Sequence, residues 1–101
     1  MKITSKDFER EVLNSEIPVL VDFFATWCGP CKMMSPVVEE LEKELEGKAK
    51  VFKIDTDEER DLAIKYGIMS IPTFIVFKNG EVKAKSIGMQ DKEELIEMIN
   101  K

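Results

Sequence analysis

The chain's only cysteines fall in one short run, Thr26-Trp27-Cys28-Gly29-Pro30-Cys31-Lys32. Two thiols at this spacing can close a ring with each other and open it again, which is the chemistry of a redox centre. The run sits between an apolar strand-like segment and a helix-like segment. Cys28 is thereby placed at a helix start, where unpaired N–H groups and the positive end of the helix dipole stabilise a thiolate. In a parallel sheet, reaction sites gather at the carboxyl ends of strands, and Cys28 lies just beyond such an end. Cys28 comes first and is expected to be the more exposed, so it is assigned as the nucleophile. Cys31, one turn further in, is the resolving thiol.

Other readings of the pair are weaker on physical grounds. A purely structural disulfide across so short a span constrains the unfolded chain little. Zinc needs a tetrahedral set of ligands, and two cysteines without a histidine complete one only through a bridged dimer or carboxylates. Two inert buried thiols do not suit an exposed turn.

Residues around the pair add to its chemistry. Pro30 has a fixed φ suited to a first helical turn and lacks an N–H there, so it stiffens the helix start. Pro36 lies inside the same helical pattern, where its ring meets the carbonyl of Lys32 and bends the helix. Met33 and Met34 read as core or rim filling. Asp22 is the one charged residue within the apolar run Pro18–Ala25. Burial penalises a carboxylate, so its pKa is expected to rise toward neutrality, which suits a general base for Cys31. The alternative places Asp22 in solvent at the strand's end.

The elements that must position these groups follow from apolar spacing and stop signals. Thr4 or Ser5 can cap a helix over about 6–14, with Phe8, Val12 and Leu13 on one face. Residues 18–25 form a continuous β-rich run, as in a central strand covered on both faces. Val37, Val38, Leu41 and Leu45 recur at helical spacing after the cysteines, and Gly47 is a natural stop. Residues 51–55 read as a second strand, followed by a helix over about 58–66 that ends at Gly67. Residues 73–77 and 81–87 flank Lys78-Asn79-Gly80, and Asn-Gly supplies the positive φ angles of a tight hairpin turn. Asp91 with Glu94 makes a capping box for a last helix that buries Leu95, Ile96 and Ile99. The order predicts a parallel core with an antiparallel hairpin at one side and helices on both faces.

The 101 residues, 44% of them hydrophobic, suit one domain over 1–101 with a single core. Twenty acidic residues against fifteen basic ones give a net charge of −5, with no basic cluster to track phosphates, so nucleic acid is not an expected partner. No stretch approaches the roughly 18 consecutive apolar residues of a membrane span, and the charged sequence after Met1-Lys2-Ile3-Thr4 is unlike a signal peptide. We expect a cytoplasmic monomer without a membrane attachment.

Trp27-Cys28-Gly29-Pro30-Cys31-Lys32, Pro36, Ile71-Pro72-Thr73, Phe77-Lys78-Asn79-Gly80 and Gly88 stand in an order and spacing that resemble the thioredoxin family over nearly the whole chain. The resemblance implies an α/β thioredoxin fold: a central mixed sheet of four to five strands flanked by four helices on both faces. It also implies a protein-disulfide reductase working through a reversible Cys28–Cys31 dithiol/disulfide. Gly29-Pro30 is the pair of a reductant in that family. Asp22 would sit beneath Cys31, and Lys53 is similar to the family's lysine near this acid, though a surface lysine reads alike. The resemblance places a cis bond before Pro72, whereas the residues alone favour a trans, strand-starting proline, since only about 5–6% of X-Pro bonds are cis.

The expected substrate-binding set is Trp27, Gly29, Pro30, Ile71, Pro72, Gly88 and Met89, with the Ile71 backbone pairing an extended segment of the partner. Partners implied are disulfide-containing proteins and a thioredoxin reductase fed by NADPH or ferredoxin. No bound cofactor or metal is implied, because the electrons reside in the two sulfurs. Two departures stand out. Phe24 occupies a position that is tryptophan in many family members, with consequences for packing around Asp22, and the first strand is reduced to a stub near Lys2-Ile3. Two other functional classes also fit a fold of this kind: a rigid binding subunit whose dithiol serves only to keep its interface reduced, and an oxidase or isomerase of an oxidising compartment, against which the Gly-Pro pair argues.

Overall fold

Strand β1 (Val19–Phe24) is buried along almost its full length because it has strands on both edges and helices over both faces. A computed structural model describes residues 1–101, and its four-stranded sheet runs β2-β1-β3-β4. β2 (Lys50–Asp55) pairs with β1 in parallel, while β3 (Thr73–Lys78) is antiparallel to β1 and β4 (Glu81–Ile87) is antiparallel to β3. The parallel core is thus one strand pair, with the hairpin at its side.

Helix lengths explain these directions. Helix α2 (Gly29–Glu44) has 16 residues, and at about 1.5 Å per residue it carries the chain back over the length of β1, so β2 starts where β1 started. Helix α3 (Arg60–Lys65) has only six residues. It leaves the chain at the end of the sheet where β2 finished, and β3 must run the other way. That short return brings residues 71–72 beside the cysteines.

Alternation along β1 divides the core in two. Val19, Val21 and Phe23 pack with Phe8, Val12, Leu62, Ile75 and Phe77 beneath α1 and α3. Leu20 points to the other face, where Met34, Val38 and Leu41 of α2 meet Leu95, Met98 and Ile99 of α4 (Lys92–Ile99). Asp22 shares the parity of Leu20 and therefore lies on the α2 face.

The first helix departs from expectation. Helix α1 (Ser5–Phe8) spans four residues and passes into a wider π-helical turn, Glu9–Leu13, closed by Asn14 N–H donating to the Glu9 carbonyl at 2.9 Å. Thr4 is the N-cap by position, but its side chain makes no capping bond; the Ser5 N–H is satisfied instead by Glu59 Oε1 at 2.8 Å. α3 starts later than residue 58 because the Asp55 carboxylate accepts from the N–H groups of Asp57 and Glu58, holding them in a turn. In α4 the capping box between Asp91 and Glu94 forms, and Met98 joins Leu95 and Ile99 in the core while Ile96 is half-buried. Asn79 and Gly80 both have positive φ, 54° and 79°, as a two-residue hairpin turn requires. The stub at Lys2 forms a single parallel bridge to Lys53 on the outer edge of β2.

Candidate active site

The chain leaves β1 at Phe24, turns through Ala25-Thr26-Trp27 and enters α2 with Cys28 as its N-cap. The turn is closed by Cys28 N–H donating to the Ala25 carbonyl at 3.2 Å. Cys28 and Cys31 are joined as a disulfide, with Cα atoms 5.3 Å apart. The Cys31 N–H, free because it belongs to the first helical turn, points at Cys28 Sγ at 3.2 Å. The same donor and the helix dipole are in place for the Cys28 thiolate when the bond opens.

Exposure barely separates the two cysteines. Both cysteines are buried, at 4% and 3% exposure, within a small cluster that includes Ala25 and is covered by Phe24 and Ile71. What separates them is their surroundings: Cys28 Sγ lies 3.9 Å from the Ile71 carbonyl oxygen, whereas Cys31 stands in the first turn of α2. The Ile71–Pro72 peptide is cis, as the resemblance implies. The Pro72 carbonyl accepts from the Gly88 N–H at 2.8 Å, so Gly88, with φ 92°, fastens the end of β4 to this loop.

Around the disulfide the surface is apolar and open. Trp27 is 69% exposed, Met89 is exposed, and Ile71 is half-buried against the cysteines. Of the two methionines after the cysteines, Met33 is exposed and Met34 is core. Two residues that the sequence pattern does not single out belong to this region. Asp57 accepts from Trp27 Nε1 at 2.8 Å and fixes the indole, and Met69, 93% exposed, extends the loop's apolar surface. Asp57 lies 30 residues from Trp27 in an acidic stretch, and nothing in that stretch distinguishes it.

Asp22 is fully buried, and neither of its carboxylate oxygens has a hydrogen-bond partner. Desolvation raises its pKa from 3.8 to about 7, against an opposing pull from the positive charge of Lys53. Lys53 is the residue paired with Asp22 across β1 and β2. Its ammonium makes no ion pair with the acid. Instead it donates to Ser35 Oγ at 3.3 Å and lies 4.5 Å from the centre of the Phe24 ring. Ser35 in turn donates to the Cys31 carbonyl at 3.3 Å, which places the Asp22–Lys53 pair beneath the first two turns of α2.

A disulfide at the mouth of a helix that follows a parallel strand, with a cis-proline loop beside one sulfur, defines a thiol–disulfide oxidoreductase. The comparisons narrow the class. A model of the thioredoxin family matches residues 1–101. The chain is 54% identical over 99 residues to the thioredoxin of Rickettsia felis, covering 98% of this chain and 94% of that protein. It is 52% identical over 101 residues to the thioredoxins of Bacillus subtilis and Staphylococcus aureus, covering all of this chain and 95% of each. This chain belongs to the thioredoxin family. Its reaction is thiol–disulfide exchange: the Cys28–Cys31 pair reduces protein disulfides and is itself oxidised to the disulfide seen here.

Proposed function

We propose the following assignment of roles in that exchange. With the pair reduced, the Cys28 thiolate attacks one sulfur of a partner disulfide; the partner S–S bond breaks and its leaving sulfur takes up a proton. Asp22, ionised near neutral pH, accepts the proton of Cys31. The Cys31 thiolate then attacks Cys28 Sγ, which releases the second partner thiol and leaves the Cys28–Cys31 disulfide. Two electrons and two protons pass to the partner, and a separate reductase must return them.

The observation that carries the assignment of Cys28 as nucleophile is its place at the α2 N-cap beside the Ile71 carbonyl, the side from which an extended partner would approach. Trp27, Gly29, Pro30, Ile71, Pro72, Gly88 and Met89 line that approach, with Met69 added to the rim. Lys53 moderates the charge on Asp22. The partners are disulfide-containing proteins and a thioredoxin reductase, and the chain works as one domain and a monomer in the cytoplasm. No helix is long and apolar enough to cross a membrane.

The test is Cys31→Ser. Without the resolving thiol, Cys28 should hold partners as mixed disulfides that a reductant releases. Accumulation on Cys31 in the converse variant, Cys28→Ser, together with none in Cys31→Ser, would reverse the assignment.

A further inference from the structure

Lys53 presents an arrangement that the exchange reaction alone does not explain. Lys53 is half-buried on the α2 face of the sheet, paired with a residue whose buried carboxylate has no partner on either oxygen. A cation on the residue next to such an acid would ordinarily donate to it. Here it does not, because two other groups occupy it: the Ser35 hydroxyl, at 3.3 Å, and the face of Phe24, at 4.5 Å. Ser35 is itself anchored, since its hydroxyl proton goes to the Cys31 carbonyl. The hydroxyl therefore accepts from the lysine and donates to the backbone of the resolving cysteine, both at once.

We propose that Ser35 is a positioning residue for the exchange reaction: with Phe24 it holds the Lys53 ammonium short of Asp22 and ties that cation to the backbone of Cys31. A held-off cation acts on the carboxylate by its field alone, without a hydrogen bond that would lock the acid in its ionised form. Asp22 keeps the affinity for a proton that a base working near neutral pH must have. This inference deepens the base role proposed for Asp22 and rests on it.

The surroundings leave few other groups to act on Asp22. β2 contributes Lys53 and, at its end opposite Phe24, Asp55, whose carboxylate accepts from the N–H groups of Asp57 and Glu58; β3 contributes the uncharged partner Phe74, and α4 contributes only the apolar Leu95, Met98 and Ile99 to this face. α2 contributes Ser35 and, when reduced, the titratable thiol of Cys31; α1 and α3 cover the opposite face. In the oxidised protein the sulfurs carry no proton, so Lys53 is the one charge bearing on Asp22.

The experiment is a pH titration of the Asp22 side-chain carboxyl carbon by NMR in the oxidised protein. In Ser35→Ala the ammonium loses its neutral acceptor, and the unpartnered oxygens of Asp22, on the residue paired with Lys53, become open to it. Alanine is a good helix former, so α2 should persist. The Asp22 midpoint should fall by about one pH unit, the low end for a carboxylate gaining a close cation. Ser35→Thr, which keeps the hydroxyl, should titrate as wild type, and Ser35→Ala should change nothing in a Lys53→Gln background. An unchanged or raised midpoint in Ser35→Ala, or a fall that persists without Lys53, would overturn the inference. A lowered midpoint with no change in the pH profile of disulfide reduction would support the positioning by Ser35 and remove Asp22 as the base.

Discussion

The two faces of β1 are built from neighbouring residues of one strand and do opposite things. Val21 and Phe23 face α1 and α3 in a layer without buried charge, where Phe8, Tyr66 and Phe77 meet edge to face or tilted, with ring centres 5.3–5.7 Å apart. Asp22 and Phe24, one residue out of step, face α2 and the disulfide, and there a carboxylate is left without partners and a cation is held away from it. Close packing of aliphatic and aromatic side chains supplies stability on the first face. The second face gives some of that stability up at its active-site end, since an ionised Asp22 must be desolvated. The difference shows how a small domain keeps a reactive group: period-2 alternation lets a strand send one residue into the core and the next into the site.

The comparison can be broken most severely at the disulfide. Cys28→Ser should abolish disulfide reduction in a turnover assay while leaving the thermal unfolding of the protein close to that of the reduced wild type. Phe77→Ala attacks the opposite face, and should cost about 3–5 kcal/mol in denaturant unfolding, as for a large buried aromatic, yet leave the Asp22 midpoint in place.

Asp22→Asn sharpens the contrast in a pH-dependent way. The folded-state pKa of Asp22, about 7, lies above its unfolded-chain reference of 3.8, so the folded protein binds the extra proton between these values. Stability from this group is fully present below about pH 4 and is lost as pH rises through about 7. Removing the charge should therefore stabilise the protein at pH 8, on the order of 4 kcal/mol at most, and have little effect at pH 3. The same variant should slow disulfide reduction near pH 7; unchanged turnover there would exclude the acid as the base for Cys31. The smallest effect is expected at the rim. Asp57→Ala should cost about 1 kcal/mol or less for one exposed hydrogen bond, and should show chiefly as a change in Trp27 fluorescence.

Most of what positions the site was legible because it is local. The apolar run of β1, the Asn79-Gly80 turn, the Asp91–Glu94 capping box and the cysteine spacing are all statements about residues a few positions apart. The burial of Asp22 was legible too, from the apolar flanks on both sides of it. What escaped depends on contacts far apart in the chain. The Trp27–Asp57 bond spans 30 residues and the Lys53–Ser35 bond spans 18, and a serine inside a helix or an aspartate in an acidic turn carries no local mark of either. The π-helical turn after Phe8 was hidden for a related reason: helical spacing is the same signal whether one turn is widened or not. The near-equal burial of Cys28 and Cys31 was not legible, because Phe24 and Ile71 pack against the pair and Ile71 arrives from a loop more than forty residues away.

The central claim is that Cys28 and Cys31 form the redox couple of a reductant. The most direct test is the equilibrium reduction potential of that couple against a thiol buffer, followed by Trp27 fluorescence. A potential near about −270 mV, the value of thioredoxin itself, is the predicted result. A potential near about −120 to −180 mV would mark an oxidant or isomerase and contradict the account.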